Sequence, residues 1–268
     1  MLLIHSFGRV FAPFNDVASH FRSELAQHSP QPVEFLEASL EMARFDGVER
    51  DTPLLDFLAA IFKSQPPDLI VPAGAPAALF CQRHRGELFP RVPLLVIGAD
   101  RRRVEAMAGT AEFTAVGVEL GLDTLLENIT TVRPKTRHVY VVMGTSPVER
   151  FWEEELRREW PARAKNVTFH WLSDHSLAQM QETVRALPAD SAIFLGILNR
   201  DAAGIPHIFE NGLTAIRSAA SAPVFGYAEQ QLGLGIVGGR LVPMQQIGDE
   251  AAAVAVRLLA GEIGRAHV

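Results

Sequence analysis

Val139-Tyr140-Val141-Val142-Met143-Gly144-Thr145-Ser146-Pro147-Val148-Glu149-Arg150-Phe151-Trp152 decides the fold. Five apolar residues run without alternation, which marks a strand buried on both faces. Gly144-Thr145-Ser146 then breaks the run. Ser146 with Glu149 reads as a capping box, and Pro147 sits at the first helical position. Val148, Phe151, Trp152 and Leu156 follow on one helix face, so a helix spans Pro147 to Trp160. A strand feeding directly into a helix is half of a parallel β-α-β unit.

The same unit recurs on both sides of this stretch. Upstream, the strands are Leu2 to Ser6, Val33 to Ala38, Asp68 to Val71 (closed by Pro72-Ala73-Gly74) and Leu94 to Ile97. Helical spacing follows from Phe14 to Leu25, Leu54 to Phe62, Ala75 to Arg85 and Asp123 to Val132. Downstream, strands are expected at Val167 to Leu172, Ala192 to Leu195 and Val224 to Tyr227, with helices at Leu177 to Leu187, Phe209 to Ala219 and Glu250 to Ala260. The series pauses near Arg133-Pro134. The fold class is therefore α/β, with two Rossmann-like lobes built on parallel sheets. The expected division is 1–133 plus about 245–268 for the N-terminal lobe and 134–244 for the C-terminal lobe.

Composition narrows the function. The chain has 268 residues, 48% hydrophobic and 21% charged, enough for one large or two small domains. Its net charge of −6 argues against a nucleic-acid partner, which demands a basic surface. The Arg excess over Lys, 22 to 3, carries no functional message. One cysteine, Cys81, forbids an intrachain disulfide and reads as a buried small hydrophobe. No apolar run approaches the roughly 18 residues of a membrane span. Met1-Leu2-Leu3-Ile4 has no basic region and reads as a strand, not a signal peptide.

Gly233, Gly235 and Gly238 spell the dinucleotide fingerprint G-x-G-x-x-G, but in the wrong context. The fingerprint works only where it opens a helix early in a β-α-β unit. Here Gly239 to Pro243 reads as extended chain, and helical spacing resumes only near Gly248. The glycines are expected to let the chain turn, and no cofactor is expected. Catalytic patterns are equally poor. Asp174-His175-Ser176 are adjacent and cannot converge as a triad, and the nine histidines show no metal spacing. No catalytic residue and no metal ligand is assigned.

Ligands of open α/β sheets bind beyond the carboxyl ends of the strands. Those ends supply the candidate binding residues: Ser6, Phe7, Arg9 and Phe11; Gly74 and Ala75; Gly98 and Asp100; Gly144, Thr145, Ser146 and Phe151; Asn199 and Arg200; Tyr227 and Glu229. Free N–H groups at the Ser146 helix start suit a carboxylate. Phe7 and Phe11 offer an aromatic wall, whereas Phe14 fits the helix core, and Arg101-Arg102-Arg103 fits a solvated charge run.

One family shares these segments. Pro134 to Ser146, Arg150-Phe151-Trp152, Asp201-Ala202-Ala203-Gly204-Ile205-Pro206, Ala222 to Gly226 and Gln231 to Gly239 resemble the ABC-transporter-substrate-binding-like domain, the extracytoplasmic sensor of bacterial histidine kinases. Leu3 to Phe7 and Pro67 to Ala77 fit it too, and the resemblance covers nearly the whole chain. It implies a type I periplasmic-binding-protein architecture, with a hinge between the lobes and a small organic ligand held by both. It also implies signalling by lobe closure, a periplasmic location, and a membrane link and targeting segment outside these residues. The isolated domain is expected to be non-catalytic. The phenylalanines and arginines point to an aromatic or short organic acid, and a homodimer stays open. Transporter-linked members continue with another strand, whereas this chain stops at Val268, as suits a sensor. A free solute-binding protein of an ABC transporter is the alternative.

Overall fold

The computed structural model describes residues 1–9, 11–12, 14–42, 51–107 and 113–262, with Phe209 described by its backbone. The chain end at Val268 lies outside the described residues. Two compact units divide the chain. The first is Met1–Glu119 joined by the chain from Pro243 onward; the second is Leu120–Val242.

The first unit holds β1 (Leu2–His5), α1 (Phe14–His28), β2 (Leu36–Ser39), α2 (Asp51–Ile61), β3 (Ile70–Ala73), α3 (Ala75–Arg83), β4 (Leu95–Asp100), α4 (Arg101–Met107) and β5 (Thr114–Val118). Its five strands are all parallel, in the order β2-β1-β3-β4-β5. Leu2, Ile4, Ile70 and Val96 pack under Leu55 and Leu58 of α2, and under Ala77, Phe80 and Cys81 of α3. The last helix described belongs to this unit and packs along α1. A Cβ at its Gly248 would stand 2.6 Å from Val17 O, so only glycine lets the two helices approach this closely.

Pro72 lies inside β3 rather than closing it. Ile70 N–H donates to Pro93 O and Gly74 N–H to Ile97 O. Midway between these bonds stands Pro72, which has no N–H to give, so the sheet accepts it by skipping one rung. Gly98 and Asp100 likewise fall within β4, at a register irregularity between Ile97 and Asp100. β2 is shorter than expected at its start because Leu36 pairs with Leu2, the first residue of β1.

The second unit holds α5 (Leu122–Val132), β6 (His138–Val142), α6 (Pro147–Arg163), β7 (Thr168–Trp171), α7 (Leu177–Val184), β8 (Ser191–Leu195), α8 (Phe209–Ala219) and β9 (Val224–Phe225). Its sheet is parallel throughout, in the order β7-β6-β8-β9. Val142, Ile193 and Leu195 pack on Met180, Val184, Leu213 and Ile216 of α7 and α8. On α6, the buried Trp160 meets Phe169 and Phe194 and donates Nε1–H to Leu122 O at 2.7 Å. That bond ties α5 to α6, and α5 falls in the second unit, which begins at Leu120 rather than after the expected 133.

The glycine run is a loop. Gly233, Gly235, Gly238 and Gly239 all have positive φ, and no helix opens there. α9 (Met244–Leu259) starts five residues later, slightly before the expected Gly248. Asn128 of α5 clamps the loop, donating to Arg240 O at 3.1 Å and accepting from Arg240 N–H at 3.0 Å.

Candidate functional site

Parallel pairing aligns all strand carboxyl ends of a sheet on one edge. In the second unit this edge gathers the turn after β6, the loop after β8 and the loop after β9.

Glu149 organises it. Its side chain is fully buried on the first turn of α6. Ser146 N–H donates to Oε2 at 2.5 Å, and Asn199 N–H, from the loop after β8, donates to Oε1. One carboxylate thus joins two loops that lie 50 residues apart. Burial pushes its pKa up to about 7, against the pull of the two N–H donors and of nearby Arg200. Gly144 is required here: a Cβ would stand 2.5 Å from both Arg200 O and Glu149 Oε2. Thr145 N–H donates to Arg200 O at 2.8 Å, and the Thr145 hydroxyl bonds the carbonyls of Arg200 and Asp201.

Asn199 and Tyr227 carry the unmet polar groups. Asn199 is 1% exposed, yet its amide oxygen and nitrogen have no hydrogen-bond partner. The buried Tyr227 hydroxyl has none either. Each such group costs about 1–3 kcal/mol of folding stability. Burial, helped by the Glu149 charge, raises the Tyr227 pKa, so the hydroxyl keeps its proton. The Tyr227 backbone is held separately: Gln231 Oε1 accepts from Tyr227 N–H at 2.7 Å and from Ala228 N–H at 3.0 Å. Glu229 opens the short 3-10 turn that presents Gln231. Phe151 lies half-buried, edge-on to Trp152 at 5.1 Å.

A cavity of about 220 Å³ shares Gly144 and Thr145 with this edge. Two of its charged lining residues, Arg157 and Glu153, are paired with each other. Arg157 donates twice to Glu153 Oε1, at 2.9 and 2.6 Å, and covers the Trp171 ring at 4.4 Å. Ser173 donates to the same Glu153 oxygen at 2.8 Å.

In the first unit, Phe7 packs against Phe11 at 5.2 Å and Phe14 at 5.1 Å. Phe14, the first residue of α1, thus joins a ring cluster with Phe7 and Phe11. Arg9 is already engaged: its guanidinium donates twice to Glu37 at 3.1 Å. Arg22 donates to the same carboxylate at 2.7 Å, and His5 Nε2 lies 2.8 Å from it. Burial alone would raise the Glu37 pKa, but His5, Arg22 and Arg9 together hold it below the usual range. Ser6 is a latch, donating to Ala73 O at 2.6 Å and accepting from Ala77 N–H at 3.0 Å. Gly74 has φ +88°, and a Cβ would meet Ser6 Oγ at 2.9 Å. Ala75 is the first residue of α3. Asp100 accepts from Arg102 N–H at 3.0 Å and starts α4, so the arginine run is helical.

The Ser146 N–H is taken by Glu149, as the capping box implies, and Arg9, offered above for a ligand acid, is paired with Glu37. The capping box pointed to the bond between Glu149 and Ser146, but not to the one between Glu149 and Asn199, 50 residues on. Glu37 and Gln231 carried no local signal, because their partners are distant or in irregular chain. Among the described residues no group of three or more His, Cys, Asp or Glu could hold a metal ion.

No family model and no curated protein matches this sequence. Solved structures do. The ligand-free, open structure of a substrate-binding protein with adhesive properties from Clostridium difficile aligns with 98% of this chain and 85% of its own, at 16% identity and TM-score 0.63. An ABC domain from Streptococcus pneumonia in complex with L-Trp aligns with 97% of this chain and 85% of its own, at 14% identity and TM-score 0.64. An ABC transporter solute-binding protein from Bacillus halodurans with bound myo-inositol aligns with 97% of this chain and 89% of its own, at 13% identity and TM-score 0.63.

The fold is that of periplasmic-binding-protein-like structures. Parallel sheets in two lobes, expected from the strand–helix alternation, are what these structures share with this chain.

Proposed function

We propose that this chain is an extracytoplasmic binding domain for a small organic solute, non-catalytic by itself. The solute engages the strand-end surfaces of the lobes and signals by drawing them together, shifting an existing open–closed equilibrium. The observation that carries the reading is the likeness in fold, over nearly the whole chain, to proteins solved with L-Trp and with myo-inositol. The strand-end edge of the second unit, with its unpaired buried Asn199 and Tyr227, supports it from within the chain.

Two settings fit. Sensing for a membrane histidine kinase rests on the sequence resemblance. Delivery to an ABC transporter is favoured by the Bacillus halodurans neighbour, itself a transporter solute-binding protein. Either setting places the domain in the periplasm. Among the described residues no helix is long and apolar enough to cross a membrane.

A thermal-shift screen of amino acids, sugars and aromatic acids tests the binding reading. A solute at 100 times its Kd adds about 2.7 kcal/mol to stability, a clear rise in Tm. Small-angle scattering with the best hit should show compaction. A tight ligand that leaves the scattering unchanged would sink the closure mechanism. The flanking gene separates the settings: a membrane helix and kinase module, or a leader and a stop.

A further inference from the structure

Asn199 and Tyr227 carry unmet polar groups at the strand-end edge of the second unit. Their polar ends are buried and unpaired, while their backbones are fixed by other groups: Asn199 N–H by Glu149, Tyr227 N–H by Gln231. Parallel pairing of β8 with β6 and β9 sets the loops that carry them side by side. Both adjoin the same carboxylate. Glu149 accepts from the Asn199 backbone, and its charge reaches Tyr227.

Glu149 decides what charge is tolerated here. The N-terminus of α6 would ordinarily attract an anion. Its Ser146 N–H and the Asn199 N–H are instead spent on Glu149. A ligand carboxylate would find these donors occupied and, above about pH 7, a like charge beside it. The unmet buried groups of Asn199 and Tyr227 are an amide donor, an amide acceptor and a phenolic hydroxyl, all uncharged, while the charge of nearby Arg200 acts on Glu149. A hydroxyl group both donates and accepts, so it satisfies this set, whereas a carboxylate satisfies only the donors.

We infer that the strand-end edge of the second unit is a hydroxyl-recognition subsite. The Asn199 amide and the Tyr227 hydroxyl bond the hydroxyl groups of an uncharged part of the solute, and Glu149 excludes carboxylates. This rests on the solute-binding reading and replaces the acidic ligand expected from the sequence with a polyol or phenol at this end.

The test is calorimetry at pH 8 on the purified chain, with two matched probe pairs: catechol against benzoate, and D-ribose against D-ribonate. At least one hydroxyl probe should bind tenfold or more tightly than its carboxylate counterpart. Asn199→Ala and Tyr227→Phe should each weaken that binding about tenfold. Neither removes a hydrogen bond from the ligand-free protein, so its Tm should stay level or rise, which separates lost recognition from misfolding. Equal or tighter binding of a carboxylate overturns the subsite, as does a hydroxyl probe whose affinity both substitutions leave unchanged. In those cases a solute has still bound, and the binding reading stands. Silence from all four probes overturns the subsite; silence from the wider solute screen as well overturns the binding reading too.

Discussion

Glu149 sets the strongest expectations for single residues. Its carboxyl titrates near 7 in the folded chain, against 4.5 for the free group. The unfolded chain therefore loses this proton first. The stability from keeping the carboxyl neutral is full below about pH 4.5 and is gone once the pH has passed about 7. The difference of roughly 2.5 pH units corresponds to about 3 kcal/mol at most. Urea unfolding at pH 5 and pH 8 should show this loss in the native chain. Glu149→Gln, which faces the same Arg200 and Tyr227 without a titrating group, should flatten it. Gly144→Ala makes a steric point at the same turn. Its methyl group would press on Arg200 O and Glu149, so about 2 kcal/mol of stability should be lost in urea unfolding. Neither constraint can be read locally. Glycine after a strand is ordinary, and only the approach of the loop after β8 makes a side chain impossible there.

At the scale of elements, the legible ones were those that bury a regular face. α1 shows its core in Val17, Ala18, Phe21 and Leu25, and β6 shows its continuous apolar run. β5 and α4 were not legible. β5 is an edge strand with Gly117 exposed in its middle, and α4 buries only Val104 and Met107 behind three arginines. Short elements with so few inward residues leave no period to detect. Cys81 behaves as its helix face foretold: it is buried in α3, and burial pushes its thiol up to about 12. A thiol reagent at pH 8 should leave the native chain unmodified and react promptly in urea. Trp160 joins α5 to the second sheet through packing and one hydrogen bond. Trp160→Ala should cost about 3–5 kcal/mol by urea unfolding, with α5 the first helix to lose amide protection in hydrogen exchange.

For the whole molecule, alternation of strands and helices was enough to require parallel sheets, because a strand that is apolar on both faces needs cover on both. The pause at Pro134 suggested where one unit ends. That α5 belongs with the second unit is visible only in tertiary contacts such as Trp160 with Leu122, 38 residues apart. The same contrast governs the glycine fingerprint. Its spacing matches a dinucleotide turn, but four positive-φ glycines clamped by Asn128 make a loop. Protein purified without added ligand should show no nicotinamide or flavin absorbance; a bound dinucleotide would return the fingerprint to its usual meaning.

The sequence by itself determined the fold class and the strand-end loops. These follow from period and turn chemistry, both of which are local. Only the tertiary structure decided which polar groups at those loops are already spent. Arg9 meets Glu37 across 28 residues, and Asn199 meets Glu149 across 50. Hydrogen bonds form between groups that packing brings within 3 Å or so, and no spacing along the chain encodes that choice.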